Sequence, residues 1–227
     1  MKLFKYFTKN ELILWFISIC IIIITFIIFD QTNYLTLCAS LIGVTSLIFN
    51  AKGNPFGQLL MIVFSVLYGV ISYSFSYYGE MITYLGMTAP MALFALVSWL
   101  KNPYKGKKSE VKVNNIQQKG ILVMIISSLL VTIMFYFILE YFNTPSLLIS
   151  TLSITTSFIA AYLTYKRSPF FALAYACNDI VLIILWVIAT ISNITYLSIT
   201  TCFVIFFFND IYGYINWKRL QRRQSNE

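Results

Sequence analysis

Asn178 and Asp179 stand side by side near the middle of an apolar stretch, residues 169–190, that is long enough to cross a bilayer as a helix. A carboxyl at that depth costs about 2.5–3.5 kcal/mol, so it normally meets a partner, a wet cavity or a ligand. In a helix, Tyr175 and Trp186 share the face of Asp179. This combination predicts a binding site for a small ligand, with hydrogen bonds from the polar pair and ring contacts from the aromatics.

A second polar pair, Asn209 and Asp210, lies close to the end of the last apolar stretch. Asp210 is followed eight positions later by Lys218, so it is expected near the membrane surface, and both a structural and a ligand-binding role stay open. No Lys or Arg falls inside any predicted span. Asp179 must therefore be protonated, hydrogen-bonded by amides and hydroxyls, or matched by a bound cation.

Hydroxyls and aromatic rings at similar depth complete the candidate site. Thr155, Thr156 and Ser157 are available in one span, although such hydroxyls commonly serve as packing contacts between membrane helices. For each aromatic residue the alternative is a lipid contact. The predicted substrate-binding residues are Asn178, Asp179, Tyr175, Trp186, Asn209, Tyr68, Tyr84 and Thr155.

The sequence contains few of the residue patterns that catalytic sites use. The chain has no histidine, which removes the commonest general base and metal ligand. Its four cysteines lie within apolar runs without metal-type spacing, and no Gly-rich phosphate loop or Ser/His/Asp set is present. We therefore predict no catalytic residues, no metal and no cofactor, and a protein that is not an enzyme.

The composition indicates a polytopic membrane protein. Of 227 residues, 59% are hydrophobic, and the mean hydropathy is +0.79. The N-terminus resembles a signal peptide, but its apolar run is too long and lacks a cleavage site, so a retained first span is predicted. The predicted spans are 12–29, 33–51, 55–77, 81–100 (kinked at Pro90), 121–139, 147–165, 169–190 and 194–217, with a turn at Tyr78-Gly79-Glu80 and a polar linker at 101–119.

All 16 Lys and Arg residues fall on one side of the membrane if there are eight spans. They precede the first span or follow spans two, four, six and eight, whereas Asp30, Glu80 and Glu140 occupy the opposite loops. The positive-inside rule then predicts that both termini are cytoplasmic. We interpret the net charge of +8 as basic residues that set the orientation in the membrane and contact anionic lipid. No nucleic-acid partner is predicted.

An internal repeat relates spans two to four to spans six to eight. The turn Lys52-Gly-Asn-Pro-Phe56 matches Lys166-Arg-Ser-Pro-Phe170, and both trios end on a Trp beside basic residues, Trp99 and Trp217. One intervening helix makes the two trios parallel, an architecture known among transporters. We predict an all-α membrane protein of eight transmembrane helices, with an extra N-terminal helix and a 3+1+3 parallel-repeat core. The predicted segments are 1–32 (additional helix), 33–100 (first repeat), 101–119 (basic loop), 120–146 (linker helix), 147–217 (second repeat) and 218–227 (basic tail).

Several stretches together resemble the PnuC family of bacterial vitamin transporters. They are Lys52-Gly-Asn-Pro-Phe-Gly57, Tyr77-Tyr-Gly-Glu80, Trp99-Leu-Lys-Asn-Pro103, the mid-span Asn178 and Asn209-Asp-Ile-Tyr-Gly-Tyr-Ile-Asn-Trp217. The resemblance implies a core related to the SWEET sugar transporters, a homotrimer in the bacterial plasma membrane, and facilitated diffusion of nicotinamide riboside that is trapped by phosphorylation in the cytosol.

One motif of that family is altered. Members that carry nicotinamide riboside typically have two Trp residues seven and four positions before the site Asn or Asp. Counted back from Asn178 these positions hold Phe171 and Ala174, and counted back from Asp179 they hold Ala172 and Tyr175. Thiamine or a deoxynucleoside therefore stays open as the substrate. A membrane enzyme acting on lipid head groups, or a receptor, is the alternative from another class, although the basic loops carry Glu110 as their only acid.

Overall fold

The computed structural model describes residues 6–74 and 78–227, and in that part of the chain eight helices are long and apolar enough to cross a membrane. This confirms the predicted fold class and the number of spans. Tyr77, named above, and Lys2 and Lys5, which are included in the 16 basic residues, lie outside the described residues. The spans are α1 (Lys9–Phe29), α2 (Tyr34–Ala51), α3 (Phe56–Ser74), α4 (Tyr78–Lys101), α5 (Gln118–Tyr141), α6 (Leu147–Tyr165), α7 (Phe171–Ser192) and α8 (Leu197–Asn226).

Helix α4 differs from the sequence prediction at its start. The turn predicted at Tyr78-Gly79-Glu80 is wrong, because these residues already form the first helical turn. The interruption near Pro90 takes the form of a π-helical segment, Thr83–Thr88, immediately before the regular helix resumes at Ala89. Proline lacks the N–H that an α-helix requires at this position, and a π-turn upstream is one way to accommodate the missing bond.

The polar linker between α4 and α5 contains a small antiparallel hairpin, with β1 at Pro103–Tyr104 and β2 at Lys107–Val111. Lys105 and Gly106 both have positive φ (47° and 78°), as a tight two-residue hairpin turn requires. Helix α8 continues well past its predicted end, through the basic tail to Asn226. Its last turns contact the hairpin, where Arg223 pairs with Glu110.

Two tryptophans join the two halves of the core, because each donates a hydrogen bond to the opposite half. Trp99 Nε1, at the end of α4, donates to the carbonyl oxygen of Thr164 in α6 (2.9 Å). Trp217 Nε1, in α8, donates to the carbonyl oxygen of Asn50 in α2 (2.7 Å). Both indoles are fully buried, and their rings lie 5.3 Å apart. The last helix of each predicted repeat therefore closes on the first helix of the other.

The neighbouring residues repeat this exchange. Ser98 Oγ donates to the carbonyl oxygen of Tyr165 (2.8 Å), and Asn216 Nδ2 donates to that of Ala51 (2.7 Å). Equivalent positions in the two halves thus make equivalent contacts, as a two-fold relation between the trios would produce. These contacts support the repeat, whose exact boundaries stay a prediction.

The turns after α2 and α6 are also built alike. Gly53 (φ 66°) and Arg167 (φ 59°) occupy corresponding left-handed positions, and the linker docks on both. The Val111 amide donates to Gly53 O (2.9 Å), and the Asn114 amide donates to Arg167 O (3.0 Å). We call this end of the bundle the basic face; it carries both turns, the linker and the end of α8.

Helix α1 packs outside this core, against α2 and α8. It begins with a capping box between Thr8 and Glu11. The Glu11 carboxylate, which is 1% exposed, accepts from Lys52 Nζ (3.0 Å) and from Tyr212 Oη (3.2 Å). A buried charge is tolerated only with such partners. This ion pair therefore fixes α1 to the turn that follows α2.

Candidate functional site

A cavity lies between the helices of the bundle, which is a common place for a small-molecule site. Every helix from α2 to α8 contributes to its wall, and α1 contributes none of the lining residues. This arrangement follows from the core described above, in which two trios and the linking helix surround a common centre. Helix α7 contributes the central Asn-Asp pair to this wall.

The side chain of Asn178 is oriented by a neighbouring helix. Thr156 Oγ1, in α6, donates to Asn178 Oδ1 (2.8 Å) and also reaches the Leu152 carbonyl oxygen (3.0 Å) of its own helix. The amide oxygen of Asn178 is thereby directed to Thr156, and its NH₂ group is left as a donor. Because Asn178 is buried (6% exposed) and lines the cavity, that donor is available to a bound ligand.

Two carboxyls line the same wall. Asp179 of α7 and Asp210 of α8 are 3% and 5% exposed, and both border the cavity. Asp179 Oδ2 is buried without a protein partner. Glu80, from the first turn of α4, lies in the same cavity, and none of the lining residues that the structure describes is Lys or Arg. Such a cavity favours a ligand that carries positive charge.

Aromatic rings form the apolar part of the wall. Tyr84, Tyr175, Trp186, Phe203 and Phe206 all line the cavity. Large flat rings suit a flat ligand, and their faces also attract cations. Together with the polar pair they can bind and orient a small aromatic cation.

The cavity opens away from the basic face. A second cavity adjoins it and shares Glu80, Ser150, Leu185 and Trp186 with it. Its other walls include the loop 144–146 and the end of α7, which lie at the opposite end of the bundle. At the basic face, Trp99, Trp217 and Phe171 pack into one buried cluster beneath the linker. A solute can therefore approach from one side while the other is closed.

Five of the eight predicted site residues meet in the cavity: Asn178, Asp179, Tyr175, Trp186 and Tyr84. Asp210, whose role the sequence left open, joins them. The sequence did not single out Glu80, Thr83, Thr88, Ser150 or Ser153 as lining residues. Glu80 had been assigned to a turn, and the serines have no feature that distinguishes them from ordinary packing hydroxyls.

The other three predicted residues lie outside the lining. Tyr68 stands in the layer behind the wall, with its ring 5.1 Å from that of Tyr84. Thr155 bonds to Thr132 of α5 (2.7 Å). Asn209 Nδ2 donates to Ser18 Oγ of α1 (3.0 Å), a contact between helices that nothing in the sequence of α8 marks out.

Comparison with known proteins agrees with this architecture. A curated relative, the nicotinamide riboside transporter PnuC of Neisseria mucosa (strain ATCC 25996 / DSM 4631 / NCTC 10774 / M26), is 26% identical over 204 residues, which cover 88% of this chain and 78% of the relative. The crystal structure of the vitamin B3 transporter PnuC matches with a TM-score of 0.82 at 24% identity and covers 96% of this chain and 94% of that one. A family model described as nicotinamide mononucleotide transporter matches residues 33–219, which begin after α1. The chain therefore belongs to this family, as the resemblance to PnuC had indicated.

Proposed function

We propose that this protein is a membrane transporter of nicotinamide riboside. The observation that carries the proposal is the acidic lining of the cavity, which contains Asp179, Asp210 and Glu80 and, among the described residues, no Lys or Arg. The pyridinium ring of nicotinamide riboside is a flat cation, which such a cavity favours. The name of the Neisseria mucosa relative supports the same substrate.

The cavity also offers hydrogen-bond partners for the polar groups of nicotinamide riboside. The Asn178 amide can donate to a ribose hydroxyl or to the carboxamide oxygen, while Ser150, Ser153 and Ser157 of the neighbouring α6 also line the wall. Trp186 and Tyr84 supply rings against which the pyridinium can stack. A site with several directed hydrogen bonds discriminates strongly against ligands that leave those groups unpaired.

The same charge disfavours a phosphorylated ligand. A mononucleotide carries a phosphate with about two negative charges near neutral pH. Three carboxyls, with no basic side chain among the described lining residues, would disfavour that group in the cavity. We therefore assign the nucleoside as substrate and not the mononucleotide, although the family model is described by the latter.

We further propose facilitated diffusion, with the substrate trapped by phosphorylation in the cytosol. In this proposal the basic face is cytoplasmic, as its Lys and Arg residues favour, so the open cavity faces outward. The protein is proposed to work as a homotrimer in the bacterial plasma membrane.

Binding of candidate substrates to the purified protein tests the assignment. Calorimetry should detect nicotinamide riboside and give no signal with nicotinamide mononucleotide, and proteoliposomes should accumulate the riboside until its concentrations equalise. Thiamine and a deoxynucleoside belong in the same series, because thiamine shares the positive charge and the deoxynucleoside does not. Tight binding of either one, without binding of the riboside, would overturn the assignment.

A further inference from the structure

The basic face is closed along two lines of contact that the repeat makes equivalent. In the first, which we call the α4–α6 seam, Ser98 and Trp99 bond to the last turn of α6. In the second, the α2–α8 seam, Asn216 and Trp217 bond to the last turn of α2. A transporter whose cavity opens at the other end has to open this face to release its solute. Either seam could part, and the two differ in the helix that packs outside them.

Helix α1 lies across the α2–α8 seam and bonds to both of its sides. The Glu11 carboxylate accepts from Lys52 Nζ (3.0 Å), which directly follows α2, and from Tyr212 Oη of α8 (3.2 Å). Glu11 is only 1% exposed, and a buried carboxylate that loses a partner is costly. Separating α2 from α8 at this end would therefore break a buried, charge-assisted contact.

A second pair of bonds, deeper in the bundle, repeats this bridge. Trp15 Nε1 donates to Thr45 Oγ1 of α2 (3.1 Å), and Ser18 Oγ accepts from Asn209 Nδ2 of α8 (3.0 Å). Ser18 and Asn209 are both buried, so neither can exchange its partner for bulk water. Helix α1 therefore holds both sides of the α2–α8 seam at two levels.

Helix α5 lies beside the α4–α6 seam, but its hydrogen bonds reach only one side. Thr132 Oγ1 bonds to Thr155 Oγ1 of α6 (2.7 Å), and Tyr162 Oη of α6 donates to the Gly120 carbonyl oxygen (3.2 Å). Within the described residues, every hydrogen bond from α5 to another span goes to α6. The cluster that α5 shares with α4, at Met87, is apolar and lies in the half of the bundle away from the basic face. So α5 does not bridge its seam as α1 does.

The linker would be divided by an opening of the α4–α6 seam. The Val113 amide donates to Gln224 Oε1 of α8 (2.8 Å), whereas the Asn114 amide and Nδ2 donate to the turn after α6 (3.0 and 3.1 Å). A long contact of 3.5 Å, from Arg167 Nη1 to the Lys112 carbonyl oxygen, crosses this division. Moving α6 away therefore costs the linker a few hydrogen bonds near the surface and leaves its hairpin on α8.

We propose that the basic face opens along the α4–α6 seam, while α1 keeps the α2–α8 seam closed as a hinge. The proposal rests on the proposed function, because it requires that a solute leaves the cavity through this face. Opening the α4–α6 seam breaks the bonds of Ser98 and Trp99 and leaves the contacts of Glu11 intact. The repeat alone would give the two seams equal roles, so α1, which lies outside the repeat, makes them different.

Disulfides across the two seams test the proposal, because the repeat supplies a matched pair of positions. Ser98→Cys with Tyr165→Cys joins α4 to α6, and Ala51→Cys with Asn216→Cys joins α2 to α8. The four native cysteines, which are free, are first replaced by alanine. Oxidation should stop uptake of nicotinamide riboside into proteoliposomes by the α4–α6 pair, and reduction should restore it. Uptake by the oxidised α2–α8 pair should equal that of its reduced form.

Mass spectrometry of proteolytic fragments shows whether each disulfide has formed, and a short bifunctional thiol reagent replaces oxidation where it has not. Uptake that persists in the joined α4–α6 pair, or that stops in the joined α2–α8 pair, overturns the proposal. The single variants Ser98→Cys and Ala51→Cys are the controls and should not respond to oxidation. If the reduced proteins take up thiamine in place of the riboside, the substrate is wrong and the seams are compared with thiamine. Reduced proteins that take up neither would overturn the proposed function, and the hinge with it.

The role of α1 has a separate test. Ser18→Ala with Tyr212→Phe removes the bonds of α1 to α8 described above and leaves the pair of Glu11 with Lys52 intact. The α2–α8 seam can then open, so a disulfide across the α4–α6 seam should leave part of the uptake. Thr132→Val, which removes a bond between α5 and α6, is the matched control and should keep the complete block. If the double variant fails to fold, Tyr212→Phe alone replaces it. A complete block in both folded backgrounds would overturn the assignment of the hinge to α1.

Discussion

At the scale of single residues, the two asparagines of the Asn-Asp pairs have different environments. Asn178 points its amide oxygen to Thr156 and lines the cavity, whereas Asn209 turns to α1 and bonds to Ser18. The depth of Asn178 in an apolar span predicted a site there, and its side chain lies in the cavity wall. The contact of Asn209 could not be predicted, because it depends on where an outside helix packs.

Replacing Asn178 with Leu should abolish ligand binding while the protein remains folded. The variant loses the NH₂ donor, and a ligand buried with an unpaired hydrogen-bonding group should bind at least about 100-fold more weakly. Thr156 keeps its bond to the Leu152 carbonyl oxygen, so the helix packing should survive. Calorimetry measures the affinity, and size-exclusion chromatography in detergent checks the fold. Near-native affinity would remove Asn178 from the site.

Asn209→Ala is the complementary variant and should show the opposite pattern. It removes the bonds to Ser18 Oγ and to the Ile205 carbonyl oxygen, which should lower the free energy of unfolding by about 1–2 kcal/mol. The affinity for the riboside should change less than about threefold, because this side chain is outside the cavity lining. A large loss of affinity in a protein of native stability would place Asn209 in the site.

At the scale of elements, the turns were more predictable than the helix interruptions. The Lys-x-x-Pro pattern identified both turns at the basic face, and the structure shows the same left-handed position in each, at Gly53 and Arg167. The π-segment of α4 had no comparable signal. Pro90 predicts that the helix is disturbed, but which carbonyl groups re-pair depends on the packing of α4 against α3 and α6.

Gly57→Ala should destabilise the protein strongly. A Cβ at Gly57 would lie 2.2 Å from Asn50 Oδ1 and 2.7 Å from the Asn50 backbone nitrogen, so the turn after α2 would have to open. That Oδ1 also accepts a buried bond from Gln58 (2.8 Å). We expect a loss of about 2 kcal/mol or more, measured by thermal or denaturant unfolding. Gly86→Ala is the control, because the nearest atom would be 3.7 Å away, and it should be neutral or slightly stabilising.

The contacts of Trp99 and Trp217 lead to a prediction about single and double variants. Trp99→Phe and Trp217→Phe each leave one buried carbonyl oxygen without its indole donor, and each should cost about 1–3 kcal/mol. Because the rings also contact each other, the double variant should deviate from the sum of the two single changes. A cost for one variant only would show that the two halves are not equivalent at this contact.

At the scale of the whole molecule, the arrangement of charges predicted the number of spans, since every Lys and Arg falls on one side when there are eight. The sequence did not predict that one end of the cavity is closed. That closure depends on Trp99, Trp217 and Phe171 meeting from three helices, which no local pattern records.

The orientation in the membrane can be tested with reporter fusions. Reporters after Lys108 and after Arg223 should both be active on the cytoplasmic side, and one after Glu140 should be active outside. The measurement pairs a reporter that works only in the cytoplasm with one that works only outside. Opposite locations for Lys108 and Arg223 would contradict the even number of spans that separates them.

The tryptophan hydrogen bonds between the two halves also bear on how the two trios could have arisen from one shorter protein. One trio, residues 33–100, carries both a donor, Trp99, and the matching acceptor, the Asn50 carbonyl oxygen. In two copies of such a trio, related by a two-fold axis, the indole of each copy could donate to the carbonyl oxygen of the other, as happens between the two trios here. An interface of this kind is self-complementary. The contact that now joins two parts of one chain is thus of the kind that a half-length ancestor would have needed to form a dimer.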